Sequence, residues 1–367
     1  MNEGRGCVLL DIYFQPPPVR QLTSWTLCVS PVWESVFAVT IQAVAIPVEL
    51  PKVNLILAPT PLHRLDRMSD ILGLDLWVKR DDLTGFAMGG NKGRKLEYLM
   101  GEALAQGADT IVTCGGAQSN FIRQLAAACS RFKIRFIAVV MPLPYEFEPV
   151  SGGLRASGGN LVLDEILGAD IRMLPNGTWD HLFSETASVA TECRAGGAKV
   201  YEIPIGGSSA QGAYAFYEAS MELLDQDSGF DLVIGASSSG STQTGLTYGL
   251  HGSGTEFIGV ACDPEPDMVQ EFAALAAGVD KLTGMNIGLK PSDFRFDLRF
   301  VGPGYGVPSE GCLAAIETLA RAEGIFLDPV YSGKAFHGLI EMARNGEING
   351  RVCFWHTGGS PALFAMD

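Results

Sequence analysis

"FDLVIGASSSGSTQTGLTYGL" (residues 230–250) runs from an apolar stretch, through a turn crowded with glycine and hydroxyls, into residues at helical spacing. That order is a strand, a tight turn and a helix, and it predicts a βα unit. The same order recurs along the chain. "DTIVTCGG" (109–116) reads as a buried strand ending on glycines, and "SNFIRQLAAACSRF" (119–132) as the helix after it, with Ser119 or Asn120 near its N-cap. "LDLWVKRDD" (74–82), "IRFIAVVM" (134–141), "ADIRMLP" (169–175), "AKVYEIP" (198–204), "EFIGVACD" (256–263) and "GRVCFWHTGG" (350–359) supply further strands, and "KLEYLMGEALAQG" (95–107) a helix. Alternating β and α with continuously apolar strands predicts an α/β fold of open, mostly parallel twisted sheets flanked by helices. At 367 residues the chain exceeds the roughly 250–300 at which one core stops growing, so two lobes are expected.

Composition narrows the function. A formal charge of −15 argues against nucleic acid or an anionic membrane as a partner. An anionic ligand must then be caught by local backbone dipoles or a few cations. The eight cysteines are scattered with no C-x-x-C pair, which predicts reduced, mostly buried thiols in a cytoplasmic protein. The five histidines show no H-x-x-x-H spacing, so no metal site is expected. Residues 1–47 are apolar but irregular, broken by Pro31, Glu34 and Pro47, and are expected to be an atypical, unstructured extension, with Val48 a plausible first position. Their longest uncharged run, Ser35 to Val48, is shorter than the ~20 residues of a membrane span.

Three turns could carry chemistry. In "GASSSGSTQTG" (235–245) the hydroxyls of Ser238, Ser239, Ser241 and Thr242 surround Gly240 at a helix start, which suits a phosphate monoester. The stretch reads equally as a tight turn whose serines cap the helix. In "TCGGAQSN" (113–120), Gln118, Ser119 and Asn120 could present donors to a carboxylate, or simply cap. In "GGNKGRKLEY" (89–98), Lys92 sits on a glycine hinge with Arg94 and Lys95 behind it. A lysine beside a helix N-terminus and other cations has its ammonium form disfavoured, which makes it a nucleophile toward an aldehyde. A phosphate cradle with an activated lysine suggests a phosphorylated aldehyde, and pyridoxal 5′-phosphate fits.

From about residue 50 onward the chain resembles the D-cysteine desulfhydrase and 1-aminocyclopropane-1-carboxylate deaminase family, within the tryptophan synthase β-like, fold type II pyridoxal phosphate enzymes. The resemblance is carried by "PTPLHRL" (59–65), "VKRDDLTGFAMGGNKGRKLEYL" (78–99), "CGGAQSN" (114–120), "ILGADIRMLP" (166–175), "GASSSGSTQTGL" (235–246), "FVGPGYGVPSEG" (300–311), "EGIFLDPVYSGKAFHGLI" (323–340) and "HTGGSPALFA" (356–365). It implies a large lobe of 48–94 plus 204–367, a small inserted lobe of 95–203, and the cofactor in the cleft between them. Lys92 would hold the cofactor as a Schiff base and then move protons, beside Asn91. Asn120 would bond the ring hydroxyl, and residues 238–242 the phosphate. Ser119, with Gln118, Asn120 and Phe121, would receive the substrate, and Tyr305 and Tyr331 would line ring and substrate. Family members are commonly homodimers.

The resemblance also separates two branches. Where the deaminase branch has glutamate after the tyrosine of "DPVY", this chain has Ser332, and Thr357 follows His356 where that branch has leucine. Two hydroxyls and the "GPGYG" motif (302–306) match the desulfhydrase-like branch, so α,β-elimination from a small amino acid of the D-cysteine type is expected, giving pyruvate, ammonia and sulfide. L-Cysteate sulfo-lyase, deaminase and a non-catalytic binding protein are the alternatives. Phe121 replaces the family's usual histidine, "GGSS" (206–209) its common "GGSN", and Gly93 follows the lysine where threonine is usual.

Overall fold

The structure, a computed structural model, describes residues 49–366. The expectation for residues 1–47 lies outside the described residues. The chain begins with β1 (Leu62–Arg64), α1 (Asp66–Leu72) and β2 (Asp75–Arg80). Next come α2 (Lys92–Ala105), β3 (Thr110–Gly116), α3 (Asn120–Phe132), β4 (Arg135–Met141), α4 (Gly159–Ile166), β5 (Asp170–Met173), α5 (Trp179–Ala195) and β6 (Val200–Glu202). The remainder is α6 (Ala210–Gln226), β7 (Leu232–Ser237), α7 (Ser241–Leu250), β8 (Glu256–Ala261), α8 (Met268–Thr283), β9 (Arg295–Asp297), α9 (Glu310–Glu323), α10 (Ser332–Arg344) and β10 (Arg351–His356).

Two sheets result. One has six strands in the order β1-β2-β10-β7-β8-β9, the other four in the order β5-β4-β3-β6. Every pairing is parallel except β1 with β2. β3 is buried along its whole length and so is β7, as expected for strands covered by helices on both faces. On one face of the larger sheet, Leu76, Val78, Ile234, Val260 and Phe354 pack against Leu319, Phe336 and Leu339 from α9 and α10. Each such fully buried side chain contributes about 1.5–3 kcal/mol over its exposed state. The smaller sheet packs Ile111, Phe136, Ala138 and Val140 against Leu96, Leu99, Ile122 and Leu125 of α2 and α3.

Elements differ from expectation where local pattern is weak. The three-residue strands β1 and β9 escape the reading, since neither is long enough to show a period. The helix expected from 95 begins at Lys92 instead, so the lysine stands on the first turn of α2. Arg94, also on that turn, makes two bidentate ion pairs, with Asp81 at 2.8 and 3.0 Å and with Glu222 at 2.9 and 3.0 Å, and so ties α2 to α6. Among the described residues no helix is long and apolar enough to cross a membrane.

Candidate active site

The loop before Lys92 is held in an uncommon backbone. Ala87, Met88, Gly89 and Gly90 all have positive φ (46, 66, 72 and 120°). A Cβ on Gly89 would lie 1.8 Å from the Asp82 carbonyl oxygen, so only glycine serves there. The Asn91 amide then donates to the Thr357 carbonyl at 3.0 Å, which fixes where α2 starts. Lys92 borders a cavity of about 390 Å³, within the range of small-molecule sites, and its Nζ lies 6.0 Å from the centre of the Tyr331 ring. Burial pushes its ammonium down to about 8, against the opposing influence of Cys262, Asp328 and a hydrogen bond with Lys95. Desolvation is therefore the activating cause. The neighbouring cations expected to activate it do not: Arg94 is spent on Asp81 and Glu222, and Lys95 works in the other direction. Lys95 is 1% exposed, donates to the Gly206 carbonyl at 3.1 Å, and is itself driven well below an ordinary lysine by burial and by Lys92.

Beside the lysine's loop, β7 ends in the turn that leads to α7. Ser238, Ser239, Gly240 and Thr242 line the cavity, and the positive φ of Gly240 (106°) lets the turn open onto the helix N-terminus. Asn91 Nδ2 donates to Thr242 Oγ1 at 3.1 Å, joining this turn to the lysine's loop. Ser241 does not line the cavity. Its side chain is turned to the Gly207 carbonyl, and its amide donates to Ser208 Oγ at 3.0 Å. Ser208, from the "GGSS" turn, does line the cavity and donates its own proton to the Ser239 carbonyl.

The end of β3 forms a third wall. Ser119 caps α3, accepting from the Ile122 amide at 3.3 Å, and still borders the cavity. Asn120 borders the cavity, and its Oδ1 accepts from Arg123 at 2.9 Å and from Asn160 at 3.0 Å, which leaves the Nδ2 group to donate elsewhere. Gln118 points elsewhere: it donates to the Arg155 carbonyl at 2.9 Å and accepts from the Asn160 amide at 2.9 Å. Phe121 is 1% exposed and shows the cavity only part of its ring, the rest packing on the Gly207 turn and the core of the smaller sheet.

The fourth wall is aromatic and acidic. The hydroxyls of Tyr305 and Tyr331 lie 2.5 Å apart, and burial pushes both phenols up, so both stay protonated near neutrality. One O–H is used between them, and the other is free to donate. A Cβ on Gly116 would meet the Tyr305 ring at 2.8 Å, so that glycine gives the ring its place. Trp179 packs edge-on against Tyr305 and donates its indole N–H to Asp263 at 3.2 Å. Asp263, Glu265 and Glu146 border the cavity together, and burial raises the pKa of the first two. Thr357 also lines the cavity, but Ser332 does not. The Ser332 hydroxyl donates to Asp328 at 2.6 Å, and the Asp328 carboxylate accepts from the amides of Val330, Tyr331 and Ser332 at the start of α10.

Sequence reading missed Lys95 as a cavity residue, together with Ser208, Trp179, Asp263, Glu265 and Glu146. Only the cationic spacing of Lys95, one helical turn after Lys92, carried a signal. The others reach the cavity from loops distant in sequence.

Comparison with known proteins agrees with this geometry. The family model for pyridoxal-phosphate dependent enzymes matches residues 53–358. The D-cysteine desulfhydrase of Serratia proteamaculans (strain 568) is 37% identical over 333 residues, covering 86% of this chain and 96% of that protein. That of Salmonella typhi is 38% identical over 327 residues with the same coverage. A solved structure of an ACC deaminase homologue superposes with a TM-score of 0.78 at 33% identity, covering 86% of this chain and 94% of that one. A processed threonine deaminase isoform 2 from Solanum lycopersicum, at 17% identity and a TM-score of 0.54 over 82% of this chain and 79% of that one, shares the fold. A cavity with a low-pKa lysine at one wall and a glycine-opened helix N-terminus at another thus belongs to a chain that is a member of the pyridoxal-phosphate dependent enzyme family.

Proposed function

We propose that this pyridoxal-phosphate lyase eliminates the β-substituent of D-cysteine, releasing pyruvate, ammonia and sulfide. The residues present fit the cofactor. A weakly basic amine stands at one wall, a helix N-terminus with surrounding hydroxyls at another, and an oriented carboxamide between them. Lys95 adds a buried amine whose charge an incoming phosphate would restore. In this reading Lys92 would hold the cofactor at its carbonyl end, and the α7 start with Ser238, Ser239, Gly240 and Thr242 would hold the phosphate. Ser241 acts only through Ser208, and Asn91 through Thr242. Asn120 would take the ring oxygen and Thr357 would face the ring nitrogen, while Ser332 acts only through Asp328. When bound, pyridoxal phosphate supplies an electrophilic carbonyl and a ring that accepts the electron pair left at Cα.

The chain's own residues do the rest. Ser119 and the first amides of α3 take the substrate carboxylate, which the helix dipole favours. Lys92 would remove the α proton; a base with a pKa near 8 suits that task near neutral pH. As the C–S bond breaks, its electron pair goes to sulfur, which leaves as sulfide, and the free O–H of the Tyr305–Tyr331 pair hydrogen-bonds to it. The observation that carries the reading is that Lys92 and this hydroxyl pair face one cavity. The names of the 37–38% identical relatives support D-cysteine.

We further take residues 48–94 with 204–367 as the large lobe and 95–203 as the small one, a division supported by the six- and four-stranded sheets. The working form in this reading is a cytoplasmic homodimer acting on a small amino acid, without nucleic acid or membrane. The six described cysteines, all buried and unpaired, support the cytoplasm, and the charge of −15 supports the lack of polyanionic partners.

The test is turnover by the cofactor-loaded enzyme of D-cysteine, L-cysteate and 1-aminocyclopropane-1-carboxylate, with Lys92→Ala as control. Pyruvate and sulfide from D-cysteine, absent in the variant and at a higher kcat/KM than L-cysteate allows, are expected. Sulfite from L-cysteate as the faster reaction, 2-oxobutanoate from the cyclopropane substrate, or no product from any of them would overturn the proposal.

A further inference from the structure

Arg123 is a buried guanidinium (1% exposed) that makes no ion pair among the described residues. Burial lowers its pKa to about 10, with Asp164 and Asp328 opposing from beyond hydrogen-bond distance. Among the described residues its hydrogen bonds go to neutral oxygens. Nε donates to the Ala87 carbonyl at 3.0 Å and Nη2 to the Gly89 carbonyl at 2.9 Å. Nη1 donates to Asn120 Oδ1 at 2.9 Å and to Asn160 Oδ1 at 2.6 Å. A charge kept in so costly a place, with Asp164 and Asp328 nearby but no carboxylate bonded to it, needs a reason in what it holds.

It holds two walls of the cavity at once. The first is the loop of four successive positive-φ residues that delivers Lys92. Ala87 and Met88 have no glycine's freedom there, so the surroundings must impose their backbone. Arg123 grips the carbonyls at both ends of the Ala87–Gly89 segment, and Gln124 adds a donor to Gly89 at 2.8 Å. The second is the Asn120 carboxamide. Two donors on Oδ1, one from Arg123 and one from Asn160, oppose a flip that would exchange oxygen and nitrogen. Asn160 is itself fixed, its Nδ2 donating to the Gln118 carbonyl at 2.8 Å.

We propose that Arg123, with Asn160, is a positioning residue for the cofactor: it clamps the loop that carries Lys92 and makes Asn120 present N–H rather than C=O to the bound group. The proposal rests on the reading above that Asn120 meets the cofactor's ring oxygen. N–H donors there stabilise the anionic oxygen, so their loss raises the pH midpoint of the bound cofactor's visible absorption band.

The experiment titrates cofactor-free protein with pyridoxal 5′-phosphate. It compares wild type, Arg123→Met, Asn160→Ser, Asn120→Ala and the Asn160→Ser/Asn120→Ala double variant, then records the pH midpoint of the band in each. Arg123→Met should weaken binding by about 10–100-fold, the scale on which outer-shell partners act at metal sites. Both Arg123→Met and Asn160→Ser should raise the midpoint. The double variant should bind no worse than Asn120→Ala alone, because Asn160 acts through Asn120. Multiplying fold-losses in the double variant, or an unchanged midpoint, would overturn the proposal, and Asn160→Ser decides it if Arg123→Met does not fold. Wild-type protein that binds the cofactor but leaves D-cysteine intact would sink the proposed activity and leave this comparison readable.

Discussion

Lys92 shows how one residue type becomes reactive through its surroundings. Its amine loses protons more readily because water is removed from it, and the hydrogen bond with Lys95 partly restores the proton. In cofactor-free protein the rate at which Lys92 condenses with an aldehyde such as pyridoxal should therefore rise to a plateau near pH 8, not near the ~10.4 of a free lysine. Borohydride trapping across pH, with Lys92→Ala as the blank, measures this. Lys95→Met removes the hydrogen bond that raises the pKa and should move the plateau to lower pH. A rise that continues to pH 10 in the parent protein would refute the desolvation account. Lys92 was legible in the sequence because glycines and cations beside it are a local pattern. Arg123 was not, because its meaning lies in partners from other segments, Asn160 and loop 87–89.

At the scale of an element, the β7–α7 unit ends its turn on Gly240, whose φ is 106° and which lines the cavity together with Thr242 of the first turn of α7. A Cβ there would come within 3.0 Å of Phe272 and 3.1 Å of Leu275, on top of the backbone strain. Gly240→Ala should therefore lower stability by about 1–3 kcal/mol and weaken pyridoxal phosphate binding at least tenfold. Gly252→Ala is the comparison, since Gly252 also has positive φ (78°) but open space around its Cβ position and lies at the far end of α7. It should cost stability and leave cofactor affinity unchanged. Thermal unfolding and equilibrium titration separate the two effects, and equal affinity losses in both variants would mean that the turn does not contact the phosphate. The same element shows a limit of sequence reading. Four hydroxyls around a glycine were read alike, yet Ser241 turns to Gly207 and Ser208 from another loop takes its place.

For the whole molecule the surrounding charge opposes its ligand. The chain carries −15, while pyridoxal phosphate is an anion that, in the proposed reading, two buried amines and backbone dipoles hold. Long-range repulsion should slow its approach at low salt, and the association rate should increase as the Debye length shortens from about 30 Å at 0.01 M to about 8 Å at 0.15 M. Stopped-flow binding at several ionic strengths tests this. A rate that falls with salt would show that the local field of the cavity mouth outweighs the global one.

Family and α/β class were written in the chain itself, because apolar runs, glycine turns and helical spacing are properties of neighbouring residues, and several such stretches occur in the family's order. The positions of β2, β3, β4, β7, β8 and β10 follow from the same local signals. The tertiary structure decided what no local pattern contains. Hydrogen-bond partners, not residue type, turn Gln118, Ser241 and Ser332 away from the cavity. Burial, not neighbouring cations, sets the pKa of Lys92. Packing brings Asp263, Glu265, Glu146 and Trp179 to the wall facing the lysine. Orientation and desolvation depend on which distant segments close around a group, and the fold alone assembles them.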